Sequence, residues 1–443
     1  MQKEKVYVPF WNQACQELSR QLLLPTVTGS EDLDLTCSNG LSNETLENSW
    51  FLSELNTHQN LNVPAIYSQF CTSSLVDCPE LGATRQRLIR LYPTKNQKKT
   101  FKHWHDVSRW VFNWTIDFIR SCRNWSPHWM EIKKYATQFL PEWTKSVPFQ
   151  IKGNAIKEAC VAFWAGKGKP KFRTRKNTTQ SCYIPKSAIS EKGIYPRKSG
   201  KGLVIKEELP AKLCDSRLIW RNGSWYLGAC YKDETPQEAR TKRPEAVALD
   251  PGIRSFISFY SPHCSGNIGR DTSEKMFKYF IALDNLYSRI AKSRNTKKKR
   301  CYRKAAMRLR ERISNLVTEL HYKTANFLCD NFSTIILPNF ETKDMVNKGN
   351  RRIRSKTVRA MMGLSFYKFR QRLEWIALKK GCRVVINTEE YTSKTHPQTG
   401  VVNRKLGSAK TVKLTNGSRA CRDVVGAYNF MLKTLVVDTP TFN

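Results

Sequence analysis

The chain has 443 residues, 40% hydrophobic and 11% aromatic, enough for roughly two to four domains with real cores. Lys and Arg number 75 against 37 Asp and Glu, a formal net charge of +38, so the expected partner is a polyanion, most simply nucleic acid. No run of about 18 apolar residues is available to span a membrane, the first residues lack a signal peptide's apolar core, and the 14 cysteines contain no Cys-x-x-Cys pair, a pattern of reduced intracellular thiols rather than of a disulfide framework or zinc site.

Residues 1–84 stand apart, with ten acids and three bases, so that the remaining residues carry about +45. That acidic segment, anchored by Phe10-Trp11 and Trp50-Phe51, is expected to be peripheral. At Arg85 the character changes. Arg87 to Tyr92 alternates like a strand, and Phe101, Trp104, Val107 and Val111 then fall at helical spacing, with more helix expected over 128–140 and 153–164. Gly166 to Lys176 is a basic loop whose glycines allow close approach to phosphate and whose Lys169, Lys171, Arg173 and Arg175 would neutralise it. From 180 to 232, short alternating runs predict a small β domain, and 233–244 reads as a polar linker.

Ala246 to Leu249 is an apolar run that reads as a buried strand ending on Asp250, with Pro251-Gly252 forcing a turn and Ile253 to Tyr260 returning. Residues 273–330 read as two long helices joined by Lys297, Lys298, Lys299 and Arg300, with Arg303 and Arg308 beyond. Within 297–312 Glu311 is the lone acid, so the hairpin is expected to contact phosphate. A strand at 333–338 leads to a second cationic loop with Arg351, Arg352 and Arg354, a helix over 362–380, and a strand from Arg383 to Thr388 that delivers Glu389-Glu390 into Tyr391-Thr392-Ser393-Lys394-Thr395. A last helix opens near Asp423.

Asp250, Glu389 and Asp423 thus each stand at the end of a strand or the start of a helix. Three carboxylates meeting in space can hold two Mg²⁺ ions, because hard cations take oxygen ligands, and such a pair activates water in phosphodiester hydrolysis. The seven histidines are dispersed and read as structural or surface residues.

With these motifs in view the chain resembles the TnpB family of transposon-encoded RNA-guided DNA nucleases and its Fanzor relatives, kin of the type V CRISPR effectors. The matching residues are Leu91-Tyr92-Pro93-Thr94-Lys95 with Gln97, Lys169 to Arg173, Leu249-Asp250-Pro251-Gly252, the block from Ile335 to Met345, Tyr391 to Thr395, and Arg422-Asp423 with Gly426-Ala427. The resemblance implies an α/β multidomain protein. Its parts would be an acidic extension (1–84), wedge strands (85–99), a helical recognition domain (100–178), a wedge β-barrel (179–240) and a RuvC, RNase H-like nuclease domain (241–390) with its helical hairpin at 273–330. A degenerate zinc knuckle or target nucleic-acid-binding insert (391–420) and the last nuclease motif (421–443) would follow. It also implies a guide RNA, double-stranded target DNA, Mg²⁺ as cofactor, and a location in the bacterial cytoplasm or nucleoid, or the eukaryotic nucleus. Catalysis would fall to Asp250, Glu389 and Asp423, with Lys394 among the nucleic-acid contacts.

Three departures stand out. Pro338 occupies the usual place of the second nuclease glutamate, so that role is expected to move to Glu389, with Glu390 as runner-up and Glu341 as an unrelated carboxylate. The zinc knuckle's first Cys pair reads His396-Pro397-Gln398-Thr399 and its second Lys413-Leu414-Thr415-Asn416, so no zinc is expected. Cys421 and Val425 replace an Asp and an Asn of the last motif. The rival expectation is an RNA-guided binder that has lost cleavage; a guide-independent scaffold would need only the charge.

Overall fold

Ala246 to Leu249 are fully buried, and the strand they begin, Ala246–Pro251, is the middle of the larger sheet. The chain is seen as a computed structural model that describes residues 11, 13–22, 24, 52–57, 84–121, 128–166, 169–232, 246–340, 342–349, 351, 353–388, 390, 392–403 and 409–437. The predicted linker over 233–244 therefore lies outside the described residues. Two compact units are formed, one from Met1–Pro79, Thr235–Ser288 and Arg312–Asn443, the other from Glu80–Glu234 and Arg289–Glu311.

In the first unit six strands pair in the order Leu52–Thr57, Cys264–Ile268, Ile257–Tyr260, Ala246–Pro251, Thr334–Pro338, Arg383–Asn387. The first four are mutually antiparallel; the last two lie parallel to Ala246–Pro251 and to each other. The crossover between Thr334–Pro338 and Arg383–Asn387 makes those strands neighbours, as the strand–helix–strand spacing predicts. Alternation then sorts the side chains onto two faces. Ala246, Ala248, Tyr260, Ile336 and Val385 form one apolar cluster with Val424, Ala427, Tyr428 and Met431 of the last helix, Arg422–Val437. On the opposite face Phe259 meets Phe327 and Phe332, while Phe256 meets Phe366 and Phe369. Helices cover both faces, as a strand row this apolar requires.

Several expectations are corrected. The returning strand is only Ile257–Tyr260, because residues 252–256 form a loop closed by the Gly252 N–H donating to the Phe256 carbonyl at 3.2 Å. The helix expected over 362–380 is two, Ser355–Leu364 and Phe366–Lys379, broken where Ser365 adopts a left-handed φ of 53°. Most of all, the described parts of the acidic N-terminal segment are not peripheral. Its Leu52–Thr57 strand extends the sheet, and Trp11, Cys15 and Leu22, from the segment around helix Gln13–Gln21, are buried against the last helix.

In the second unit a five-stranded antiparallel sheet runs Thr179–Ile184, Ser216–Arg221, Ser224–Lys232, Thr84–Tyr92, Val204–Ile205. This pairing leaves two edges, so among the described residues the expected barrel is an open sheet. Residues 95–99 begin the long helix Lys95–Ser121 rather than continuing a strand. The Thr94-Lys95-x-Gln97 motif explains why. The Thr94 hydroxyl accepts from the Gln97 N–H at 3.3 Å and the Gln97 side chain accepts from the Thr94 N–H at 2.9 Å, a reciprocal cap on the helix start. The same buried Gln97 donates to the Gly200 and Lys201 carbonyls, so this motif is structural.

His321 fixes the break at Ser365. Arg372, which can only donate, donates to His321 Nδ1 at 2.8 Å, so Nε2 carries the proton and donates to the Leu364 carbonyl at 2.7 Å. Burial lowers the His321 pKa to about 4, and Arg372 and Lys368 add to the effect. The folded pKa lies below the unfolded value of about 6.5, so stability is fully present above pH 6.5 and is lost as pH falls toward 4. The loss is on the order of 3 kcal/mol. The urea midpoint of the unit should therefore drop between pH 7 and pH 5, and His321→Gln, which can both accept and donate, should shrink that drop. An equal drop in the variant would place the acid sensitivity elsewhere.

Candidate functional site

Asp250 sits on the penultimate residue of the central strand, paired across from Ser258. It shares the parity of Ala246 and Ala248, so its side chain projects toward the last helix. Gly426 of that helix makes room for it: a Cβ there would lie 2.3 Å from Asp250 Oδ2 and 3.2 Å from its Cγ. No real Cβ tolerates the first distance, so the carboxylate rests on bare helix backbone. Asp423 lies three residues earlier on the same helix, and residues three apart share a helical face with Cβ atoms about 5–6 Å apart. The structure therefore seats Asp250 against the helix that carries Asp423 one turn earlier. Asp423 is in the first turn, where the helix dipole favours a carboxylate. Arg254 Nη1 stands 3.7 Å from its Oδ1. Ser258, opposite Asp250, donates to Asn267 Oδ1 at 2.6 Å and lies buried beneath the site.

Pro338 belongs to this constellation by position. The register that pairs Ile336 with Ala248 brings residue 338 level with Asp250, and Pro338 itself pairs with Asn387. Asn387 is on the same face, its Nδ2 donating to Thr434 Oγ1 of the last helix at 3.4 Å. Lys433 clamps the strand end, donating to the Thr388 carbonyl at 2.8 Å and hydroxyl at 3.0 Å. Glu389 and Glu341 lie outside the described residues, while Glu390 is exposed in a turn. Among the described residues no group of three or more His, Cys, Asp and Glu is placed to hold a metal ion. Asp250 and Asp423 offer carboxylate oxygens, the kind of donor a hard cation takes.

Beside Asp423 opens a cleft of about 350 Å³ lined by Arg254, Asn267, Arg270, Asp271, Glu274, Lys356 and Lys410, among others. Sequence reasoning missed Arg254, Arg270 and Lys410. Arg254 follows the Asp250-Pro251-Gly252 turn directly and was open to notice; the other two come from segments whose convergence no pattern signals.

The predicted basic contacts divide. In the second unit Lys169, Lys171 and Arg175 are exposed, and Arg175 lies 3.4 Å from Asp106. Arg173 is used within the fold, donating to Glu158 at 2.8 Å with its guanidinium 3.7 Å above the Phe112 ring. Lys297, Lys298, Arg300, Arg303 and Arg308 are exposed along helix Thr296–Asn331, with Lys299 half-buried. Glu311 is no stray balancing charge. It accepts from Arg221 at 3.0 Å, Asn222 at 3.0 Å and Tyr226 at 2.6 Å. Burial alone would raise its carboxyl, but these donors pull it below the usual range. In the first unit Arg354 is exposed, Arg351 donates to Ser355 at 2.9 Å, and Arg352 lies outside the described residues. Lys394 is exposed in the turn Thr392–Lys394, which Asn429 of the last helix holds by donating to the Thr392 and Thr395 carbonyls at 2.8 Å each.

The knuckle region is cross-linked by hydrogen bonds. His396 Nε2 donates to the Lys413 carbonyl at 3.0 Å, and Gln398 Oε1 accepts from both the Thr415 N–H and hydroxyl at 2.8 Å. These bonds join the same two segments that the family's cysteine pairs would join through a metal, and the hairpin Thr411–Lys413 with Arg419–Cys421 completes the insert. Gln398→Ala should accelerate hydrogen exchange at the Thr415 amide by at least tenfold while leaving the Ala246–Pro251 strand protected. Unchanged exchange at Thr415 would show that the Gln398 bonds do not hold the two segments together.

Comparison with known proteins follows these lines. Residues 366–430 match the family model described as Cas12f1-like, TNB domain, and residues 84–121 match one described as helix-turn-helix domain. In this chain the latter stretch is one strand and one continuous helix. The chain is 28% identical over 384 residues to "Putative transposase A625R" of Paramecium bursaria Chlorella virus 1, covering 79% of this chain and 87% of that protein. It is 24% identical over 382 residues to "TnpB-like protein L79" of Acanthamoeba polyphaga mimivirus, covering 77% and 72%. Among solved structures, one titled "Cryo-EM structure of the Cas12f1-sgRNA-target DNA complex" aligns at a TM-score of 0.42 with 10% identity, over 76% of this chain and 83% of that one, too loose a likeness to carry weight. In these matches the chain is similar to TnpB-like proteins and viral transposases over more than three quarters of its length.

Proposed function

We propose that the protein is an RNA-guided DNA endonuclease whose first unit is a RuvC-type, RNase H-like nuclease. The observation that carries this reading is the Gly426 cradle, which seats Asp250 against the helix that presents Asp423. The sheet supports it: leaving aside Leu52–Thr57, the strands run third, second, first, fourth, fifth in chain order, with only the second antiparallel to both of its neighbours. An RNase H-like domain would have this strand order, with acids at the central strand and on the helix that crosses it, which supports the reading. Glu389 would complete the set. Two residues beyond Asn387, continued alternation would return it to the Asp250 face, whereas Glu390 would point away. Guide RNA and duplex DNA as partners are proposed from the resemblance to TnpB-like proteins and a net charge of +38. The exposed cations at Lys169, Lys171, Lys297, Lys298, Arg300, Arg303, Arg308, Arg354 and Lys394 would contact phosphates, while guide pairing would read sequence.

Bound Mg²⁺, for which Asp250, Asp423 and Glu389 are the proposed ligands, supplies a water of lowered pKa and charge stabilisation at the leaving oxygen. The chain's own part is positional. The strand holds the Asp250 backbone, Gly426 removes the side chain that would displace its carboxylate, and the first turn of the helix presents Asp423 beside it. No zinc is needed to close the knuckle, since the bonds from His396 and Gln398 join its two segments.

A second reading, a guide-directed binder without cleavage, is favoured by one observation: Pro338, level with Asp250, offers no oxygen from its side chain. Cleavage of a duplex matched to the RNA that co-purifies with the protein decides between them. In Mg²⁺ the unmutated protein should cut. Asp250→Ala, Asp423→Ala and Glu389→Ala should abolish cleavage yet bind the duplex, and Glu390→Ala and Glu341→Ala should keep most activity. Adding Pro338→Glu to Glu389→Ala should restore part of the rate, because residue 338 faces the same carboxylate. Gly426→Ala is the sharpest variant. Alanine favours a helix by about 1 kcal/mol over glycine, so the fold should survive while cleavage falls with the displaced Asp250. An unmutated protein that binds but never cuts establishes the repressor.

A further inference from the structure

We infer that Arg254 is a built-in counter-ion of the carboxylate pair, holding Asp423 until a divalent ion binds and then turning to a phosphate of the strand in the adjoining cleft. This rests on the nuclease reading above, but its first half is independent of cleavage.

Arg254 is on the loop between strands Ala246–Pro251 and Ile257–Tyr260, and its backbone is fixed at both sides. Gly252 N–H donates to the Phe256 carbonyl at 3.2 Å, and the Arg254 carbonyl accepts from Asp271 N–H at 3.1 Å. Any adjustment must therefore come from the side chain, which is 43% exposed. At 3.7 Å its approach to Asp423 is an ion pair too long for a hydrogen bond, and pairs this exposed are weak. A divalent ion at the same carboxylate would outcompete it. Meanwhile Asp250, seated against Gly426, and Asp423, one turn earlier on that helix, repel one another, and the guanidinium offsets that repulsion when no metal is present.

The cleft gives the released side chain somewhere to go. Arg254, Arg270, Lys356 and Lys410 bring four cations to its wall beside Asp423. A phosphodiester reaching Asp423 through this cleft would pass the Arg254 guanidinium, whose planar fork suits phosphate oxygens. The alternative is a strut that merely orients Asp423 for the metal.

The two roles predict opposite signs. Mn²⁺ binding to the full-length protein, freed of nucleic acid, is measured by the electron paramagnetic resonance of free Mn²⁺, with Asp423→Asn as the background. As a counter-ion, Arg254 opposes the metal, so Arg254→Ala and Arg254→Gln should bind Mn²⁺ about three- to tenfold more tightly. As a strut, its loss should weaken binding. In the cleavage assay Arg254→Ala should be slower by about a hundredfold with duplex binding unchanged, and Arg254→Lys should fall between. Unchanged or weaker Mn²⁺ binding overturns the counter-ion role. Tighter binding with unimpaired cleavage overturns the phosphate role. An unmutated protein that never cuts, while Mn²⁺ binding still tightens in Arg254→Ala, sinks the nuclease reading and upholds the counter-ion.

Discussion

The close approach of helix Arg422–Val437 to strand Ala246–Pro251 is the constraint on which the first unit depends. It is possible because the strand's face toward the helix is lined by Ala246 and Ala248 and because position 426 is glycine. Small residues bring backbone near backbone, and the carboxylate of Asp250 fills the space that any larger side chain at 426 would take. The same approach buries Tyr428, whose hydroxyl donates to the Ser19 carbonyl at 3.3 Å, and so draws the N-terminal helix into the core. Trp11 is seated at Gly400, where a Cβ would fall 2.1 Å from its ring. Site geometry and fold stability thus share one interface, and neither can be altered alone except at Gly426, where the displaced atom is the end of a side chain.

The positive charge of the chain is used in two ways. Some cations close the fold by meeting acids distant in sequence: Arg173 and Arg217 meet Glu158, Arg221 meets Glu311, and Arg359 meets Asp284. Glu158 illustrates the balance. Burial alone would raise its carboxyl, yet Arg217 and Arg173 hold it below the usual carboxylate range. Others, such as Lys297, Lys298, Arg300, Arg303 and Arg308, are exposed along one helix, and a face of that kind is disposed toward phosphate. Composition cannot separate the two classes, since each arginine's partner is set by tertiary contact.

Much of the site was legible because its parts are local. A buried run ending on Asp250, a crossover that makes two strands neighbours, and an Asp opening a helix with Gly426 three residues on are all patterns of a few residues. What escaped was long-range or weakly encoded. Leu52–Thr57 reads Leu-Ser-Glu-Leu-Asn-Thr, with little β-branched character, and it joins the sheet edge by backbone pairing to an equally unmarked partner, Cys264–Ile268. The break at Ser365 has no Gly or Pro to announce it; it is held by His321 from another helix. Gln97, read as part of a family motif, proves to be a capping and bridging residue. Its spacing from Thr94, three residues, carried the capping signal all along.

The central claim is that Asp250 and Asp423 are one site, held together across Gly426. Anomalous diffraction from crystals of the full-length protein soaked in Mn²⁺ tests this most directly. The account predicts a Mn²⁺ peak within coordination distance of both carboxylates, lost in Gly426→Ala crystals. A peak held only by other acids of the cleft, Asp271 and Glu274, or a peak on Asp423 alone that persists in Gly426→Ala, would contradict it.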